Sequence, residues 1–121
     1  KASALTLAAI HGHADITRIL IEKGAEVDLK ANHGFTPLIL AAQNNRTKII
    51  EVLLTKGAKI NLQNDDGVNA IMWAALHNKI EAVKLLLAKG ANPNLKSSNG
   101  KTARSIAKDP AIIALFKASK K

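Results

Sequence analysis

Gly34-Phe35-Thr36-Pro37-Leu38-Ile39-Leu40-Ala41-Ala42 reads as a tight turn closing into a capped helix. Gly34 ends the turn behind Asn32 and His33. Thr36 offers a hydroxyl to the free N–H groups of a first helical turn, and Pro37 sits where no donor is needed. The apolar run that follows makes a short helix, which Asn44 and Asn45 break. A second helix is predicted over 47–56, with Ile49, Ile50, Val52, Leu53 and Leu54 at helical spacing on its inner side. Gly57 supplies a left-handed residue beyond its end, and Lys56 places a cation at the negative helix terminus. Ile60-Asn61-Leu62 then leads to the next turn, Asp65-Asp66-Gly67.

This unit recurs. Gly34, Gly67 and Gly100 are spaced 33 residues apart, and so are Lys23-Gly24-Ala25, Lys56-Gly57-Ala58 and Lys89-Gly90-Ala91. Two landmarks holding one period mean a stacked array. The chain divides into repeats at 1–31, 32–64, 65–97 and 98–121 of one expected domain, 1–121. Helices are predicted over 4–11 and 14–23 (capped by Ser3, broken at Gly12), over 70–77 and 80–89, and over 111–117 behind Asp109-Pro110. Thr102 caps the first helix of the last repeat, which lacks the Lys-Gly-Ala ending, as a terminal repeat should. By column, Leu20, Leu53 and Leu86 should form a core ridge, with Leu29, Leu62 and Leu95 one period apart beside it. Ala9, Ala42 and Ala75 should let paired helices approach closely. The fold class expected is all-α, a solenoid of about four helix-turn-helix repeats with short β-turn fingers.

The 121 residues are 47% hydrophobic but include only two Phe, one Trp and no Tyr, so the core is aliphatic. That composition excludes a stacking platform for single-stranded bases. With no cysteine there is no disulfide, thiolate nucleophile or Cys-based zinc site. No apolar run reaches the roughly 20 residues that span a bilayer. The net charge of +9 is unevenly spread. Repeat one balances four cations with four acids, whereas 98–121 carries Lys101, Arg104, Lys108, Lys117, Lys120 and Lys121 against Asp109 alone. This basic quarter reads first as a solubilising end-cap. Its alternative is a contact for an acidic protein, nucleic acid or anionic lipid.

Gly34 to Ala42, the Gly12-His13 pair and the Lys-Gly-Ala endings followed by Val27-Asp28 or Ile60-Asn61 together resemble ankyrin repeats. The resemblance covers essentially the whole chain. It implies a non-enzymatic scaffold that binds another protein. It also implies a concave partner face made of turn tips and the exposed side of the first helices. Mapped by position, that face takes in Asn32, His33, Phe35, Gln43 and Asn44, then Asp65, Asp66, Val68, Leu76 and His77, then Ser98, Asn99 and Lys101. Phe35, Val68 and Leu76 are expected to be exposed there as an apolar patch, with Phe35 folding over its neighbouring turn to stabilise the finger as the alternative. The Thr-Pro-Leu-His signature of the family is altered in every repeat: Ser3 to Thr6, Thr36 to Ile39, Asn69 to Met72 and Thr102 to Ser105. None keeps the His, which puts the family's hydrogen bonds between neighbouring repeats in question. Repeat one lacks its own turn, which suggests sequence upstream or a cap made of 1–13. The chain is expected to be monomeric or to belong to a longer one, such as a targeting segment of a larger enzyme.

Other chemistry finds little support. Trp73 shares a column with Leu7, Leu40 and Ile106, so it should fill the groove between the second and third repeats. His11 and His77 lie two periods apart, about 20 Å at 8–10 Å per layer, so no metal site is expected. Serines occupy caps or the tail, Asp65-Asp66 suits a turn, and the glycines are isolated, so neither a catalytic group nor a cofactor site is expected. Lys23, Lys56 and Lys89 read as helix C-caps, or as a cationic ladder for an acidic peptide if they face the concave side.

Overall fold

The computed structural model describes residues 3–119; Lys1, Ala2, Lys120 and Lys121 lie outside them. First helices α1 (Ala4–His11), α3 (Pro37–Gln43), α5 (Ala70–Leu76) and α7 (Ala103–Ile106) alternate with second helices α2 (Ala14–Glu22), α4 (Thr47–Thr55), α6 (Ile80–Ala88) and α8 (Pro110–Ala118). Each first helix packs on the next first helix and each second helix on the next second helix, so the pairs form two parallel layers. The second helices of the first three repeats end one residue before the predicted limits, because Lys23, Lys56 and Lys89 are themselves the C-caps.

Side chains start the first helices as the sequence suggested. Ser3, Thr36, Asn69 and Thr102 accept from the backbone N–H of Thr6, Ile39, Met72 and Ser105. At two of the four positions that lack the histidine the side chain serves its own repeat's cap: Thr6 bonds the Ser3 hydroxyl at 2.9 Å, and Ser105 returns a bond to Thr102 in a reciprocal cap. Between paired helices Gly12, Asn45 and Asn78 take left-handed φ values of 77°, 56° and 59°. They occupy one column, so the helix-to-helix turn is itself a repeated device.

The core follows the columns. Ala9, Ala42 and Ala75 are buried, as are Leu53 and Leu86. Burying a leucine contributes about 1.5–3 kcal/mol. The expected Leu ridge fades at its first member, since Leu20 is half-buried, and Leu29 is exposed beside half-buried Leu62 and Leu95. A shared cause is visible in Ile16, 49% exposed, whose column mates Ile49 and Ala82 are 1% and 0% exposed. Among the described residues no helix pair lies in front of α1 and α2, so apolar positions that a neighbour covers elsewhere meet solvent there.

Loops are tied from layer to layer. The Asp28 carboxylate accepts from the Lys59 N–H at 3.2 Å, and the Asn61 side-chain Oδ1, one period on, accepts from the Asn92 N–H at 2.9 Å. Arg46 donates to the Ile10 carbonyl at the end of α1. At the C-terminal end the Arg104 guanidinium donates to Asn94 and to the Phe116 and Ser119 carbonyls, and its charge lies 5.9 Å from the centre of the Phe116 ring.

Candidate partner-binding face

Three fingers project ahead of α3, α5 and α7. Each is a narrow loop closed by one backbone bond: Ala31 N–H to Phe35 O, Asn64 N–H to Val68 O, and Ser97 N–H to Lys101 O. The turns differ in detail. In the first, both His33 and Gly34 are left-handed within a short 3-10 turn, Asn32–Gly34. In the second, the Asn64 side chain accepts from the Asp66 and Val68 N–H groups and shapes the loop. Neighbouring fingers are bonded: the Asp65 N–H donates to His33 O at 3.0 Å and the Ser98 N–H to Asp66 O at 2.8 Å. This rail needs glycine. A Cβ on Gly67 would lie 2.9 Å from Ser98 N, and one on Gly34 would lie 2.9 Å from Asp65 N.

The fingers and first helices enclose two recesses on one face. Between the third and fourth repeats, a cavity of about 450 Å³ is floored by Val68, Met72, Trp73, Leu76 and Ile106. Asp66 borders it from one finger, and Ser98, Asn99 and Lys101 from the next. Between the first and second repeats, a shallower one of about 360 Å³ is lined by Thr6, Ile10, Phe35, Leu40, Asn32 and Gln43. Thr6 and Met72, Ile10 and Leu76, Asn32 and Ser98, Phe35 and Lys101, and Leu40 and Ile106 are column mates two periods apart, so the recesses are equivalent places two layers apart. The intervening place is filled. Phe35 packs against Trp73 with ring centroids 5.6 Å apart, and His77 stacks on Trp73 at 4.9 Å and 11°.

Six of the residues expected on this face therefore meet at one recess: Asp66, Val68, Leu76, Ser98, Asn99 and Lys101. Asn32, Phe35 and Gln43 line the other, and His77 belongs to the ring stack. His33 and Asp65 serve the rail between fingers, and the Asn44 side chain folds back onto the Leu40 carbonyl at 2.8 Å. The expected exposure of Phe35 and Val68 is corrected: both are half-buried against the core, and of that trio only Leu76 stands clear at 49% exposure. Phe35 leans on Trp73 of the next repeat's first helix. Trp73 does fill the groove between the second and third repeats, but it also forms a wall of the recess toward the fourth. Position 73 shares the column of Leu40 and Ile106, which both line recesses; that periodicity could have flagged the column as surface as well as core.

The lysine column faces the other way. Lys56 pairs with Glu22 on α2 at 3.4 Å, and Lys89 borders Leu54, Thr55, Ala58 and Ile60, all on the second-helix side. A cationic ladder on the concave side is thus excluded for Lys56 and Lys89. Among the described residues no group of three or more His, Asp or Glu comes close enough to hold a metal ion. No helix among them is long and apolar enough to cross a membrane. One carboxyl, Glu81 at the start of α6, is held below the usual carboxylate range, first by its backbone N–H and then by the Asn45 amide. It lies far from the recesses, in the tie between the second and third repeats.

A family model described as ankyrin repeats (3 copies) matches residues 1–64, and one described as ankyrin repeats (many copies) matches residues 53–107. No curated protein matches the chain. Repeats of this kind generally serve as protein–protein interaction modules.

Proposed function

The chain belongs to the ankyrin-repeat family, and from that premise we propose that it is a non-enzymatic scaffold holding a protein partner on its finger-side face. The observation that supports this reading most is the recess between the third and fourth repeats. It combines an apolar floor, an exposed leucine and charged rims of both signs. Monomeric proteins rarely expose contiguous apolar surface beyond a few hundred Å² without a use for it. The mechanism is preorganisation. Backbone bonds fix each finger to the next, so docking orders little of the scaffold and loses little entropy.

Affinity capture with the wild-type chain and with Leu76→Asp tests the reading. Leu76 is exposed, so the variant should melt within a few degrees of wild type while losing the captured partner. Undiminished capture by a folded L76D protein refutes this face as the site. Phe35→Ala is unsuitable for that purpose, because Phe35 supports Trp73 and its loss should lower stability.

The electrostatic alternative, nucleic acid or anionic membrane bound by the basic C-terminal quarter, is less favoured. Of the described cations there, Arg104 is engaged with Asn94 and the end of α8. Capture that falls steeply with salt and is retained by heparin would restore it.

A further inference from the structure

We propose that the partner segment is an extended stretch of polypeptide with two apolar anchors about six residues apart, the second flanked by a basic residue on one side and an acidic residue on the other. The proposal rests on the reading of the finger-side face as a partner site and names what that site selects.

Spacing comes from the layers. The two recesses are equivalent places two repeats apart, and layers stacked at 8–10 Å put them roughly 16–20 Å from each other. An extended chain advances about 3.3 Å per residue, so roughly six residues cover that distance. Alternate side chains of an extended chain share a face, so an even spacing keeps both anchors turned toward the scaffold. A helical ligand fits less well. Its body is about 10–12 Å across and needs an uninterrupted trough. Here Phe35, Trp73 and His77 form a ridge between the recesses, which single side chains can straddle.

Charge sets the direction and the flanks. The recess between repeats one and two has no ionisable residue in its lining. Its counterpart has Asp66 on one finger and Lys101 on the next. Both are exposed, and among the described residues neither is in an ion pair. An apolar anchor lowered between them brings its neighbours to opposite charges: a Lys or Arg to Asp66, a Glu or Asp to Lys101. Each exposed pair discriminates by up to about fivefold, so the flanks select among peptides that the apolar anchors bind.

The test is panning a random 12-residue display library on the immobilised chain, then measuring synthetic consensus peptides by Trp73 fluorescence. Trp73 is the only tryptophan and borders the recess. The expected consensus has two large apolar residues about six apart with the mixed-charge flanks at one of them. Exchanging the charges of the flanks should weaken binding several-fold, and the folded double variant D66K/K101E should restore the exchanged peptide and disfavour the original. Consensus peptides without charged flanks, or an exchange to which binding is indifferent, overturn the proposal. If such peptides still compete with one another and lose binding to L76D, the broader partner-face reading survives. Absence of enrichment over an uncoated support also overturns the proposal, and leaves the broader reading to capture of a folded protein with the L76D control.

Discussion

Gly34, Gly67 and Gly100 occupy one column with nearly equal backbone angles, φ 77°, 75° and 79°, yet they should respond differently to alanine. Each substitution forces an L side chain into the left-handed region at about 1–2 kcal/mol. Each also recovers about 0.4–1 kcal/mol by restricting the unfolded chain. The net cost common to all three is therefore roughly 0–1.6 kcal/mol. What separates them is the next finger. A Cβ on Gly67 would lie 2.9 Å from Ser98 N and 3.0 Å from the Ser97 Cα, while one on Gly100 meets nothing within 4 Å. Relieving that overlap pushes two fingers apart, and the bond from the Ser98 N–H to Asp66 O goes with it. Loss of such a bond costs roughly 0.5–1.5 kcal/mol, and contacts along the rail add a similar amount. G67A should thus lie about 2 kcal/mol below G100A, a melting temperature lower by roughly 5–10 °C for a chain of this size. G34A, 2.9 Å from Asp65 N, should fall with G67A. Urea unfolding followed by circular dichroism and by Trp73 emission measures the differences. Equal destabilisation at the three positions would refute the argument, because backbone strain alone would then account for the column.

Other expectations concern the ends and the ties. Arg104→Lys keeps the charge but loses the fork that reaches Asn94, Phe116 and Ser119 together, so amide exchange across 110–118 should accelerate by more than tenfold while repeats two and three keep their protection. Ile16→Gln should change stability by less than about 0.5 kcal/mol, whereas Ile49→Ala in the same column should cost about 2–5 kcal/mol in denaturant unfolding. The folded-state pKa of Glu81 is depressed, so its contribution is present above the unfolded-state pKa and is lost as pH falls through the lowered folded value. Asn45→Ala should raise that pKa in an NMR titration and flatten the acid limb of the stability profile.

The fold was legible because its determinants are local and recur. A cap residue, a break and a left-handed C-terminal residue can be read without knowing what they pack against, and their 33-residue period says that they pack on one another. Exposure was less legible, because it depends on the neighbour and not on the residue. Phe35 sits at the base of a finger, where position alone suggests solvent, but it packs against the core and the ring of Trp73 in the next layer. Leu29 and Ile16 err in the other direction: their column mates are better buried, and among the described residues no layer lies in front of them. The lysine column was ambiguous for a geometric reason. A C-cap position fixes a residue along the helix axis, while the side of the stack that it faces is set by how the two layers meet.

Within one array the residues that hold the stack and those that can make it selective are separable by column. Ala9, Ala42 and Ala75 are the same residue because three helix crossings require the same clearance, and a larger side chain at any of them would push neighbouring layers apart. Phe35, Val68 and Lys101 share a column and nothing else, as do Gln43 and Leu76. No common packing demand can account for an aromatic ring, a branched aliphatic and a cation at one geometric position. The variation changes the face in steps: a recess without ionisable residues, then a ridge of three rings, then a recess with both charges at its rim. A uniform array would bind a repetitive ligand equally in any register. This one distinguishes its layers, so a ligand that reads two of them is fixed in both register and direction.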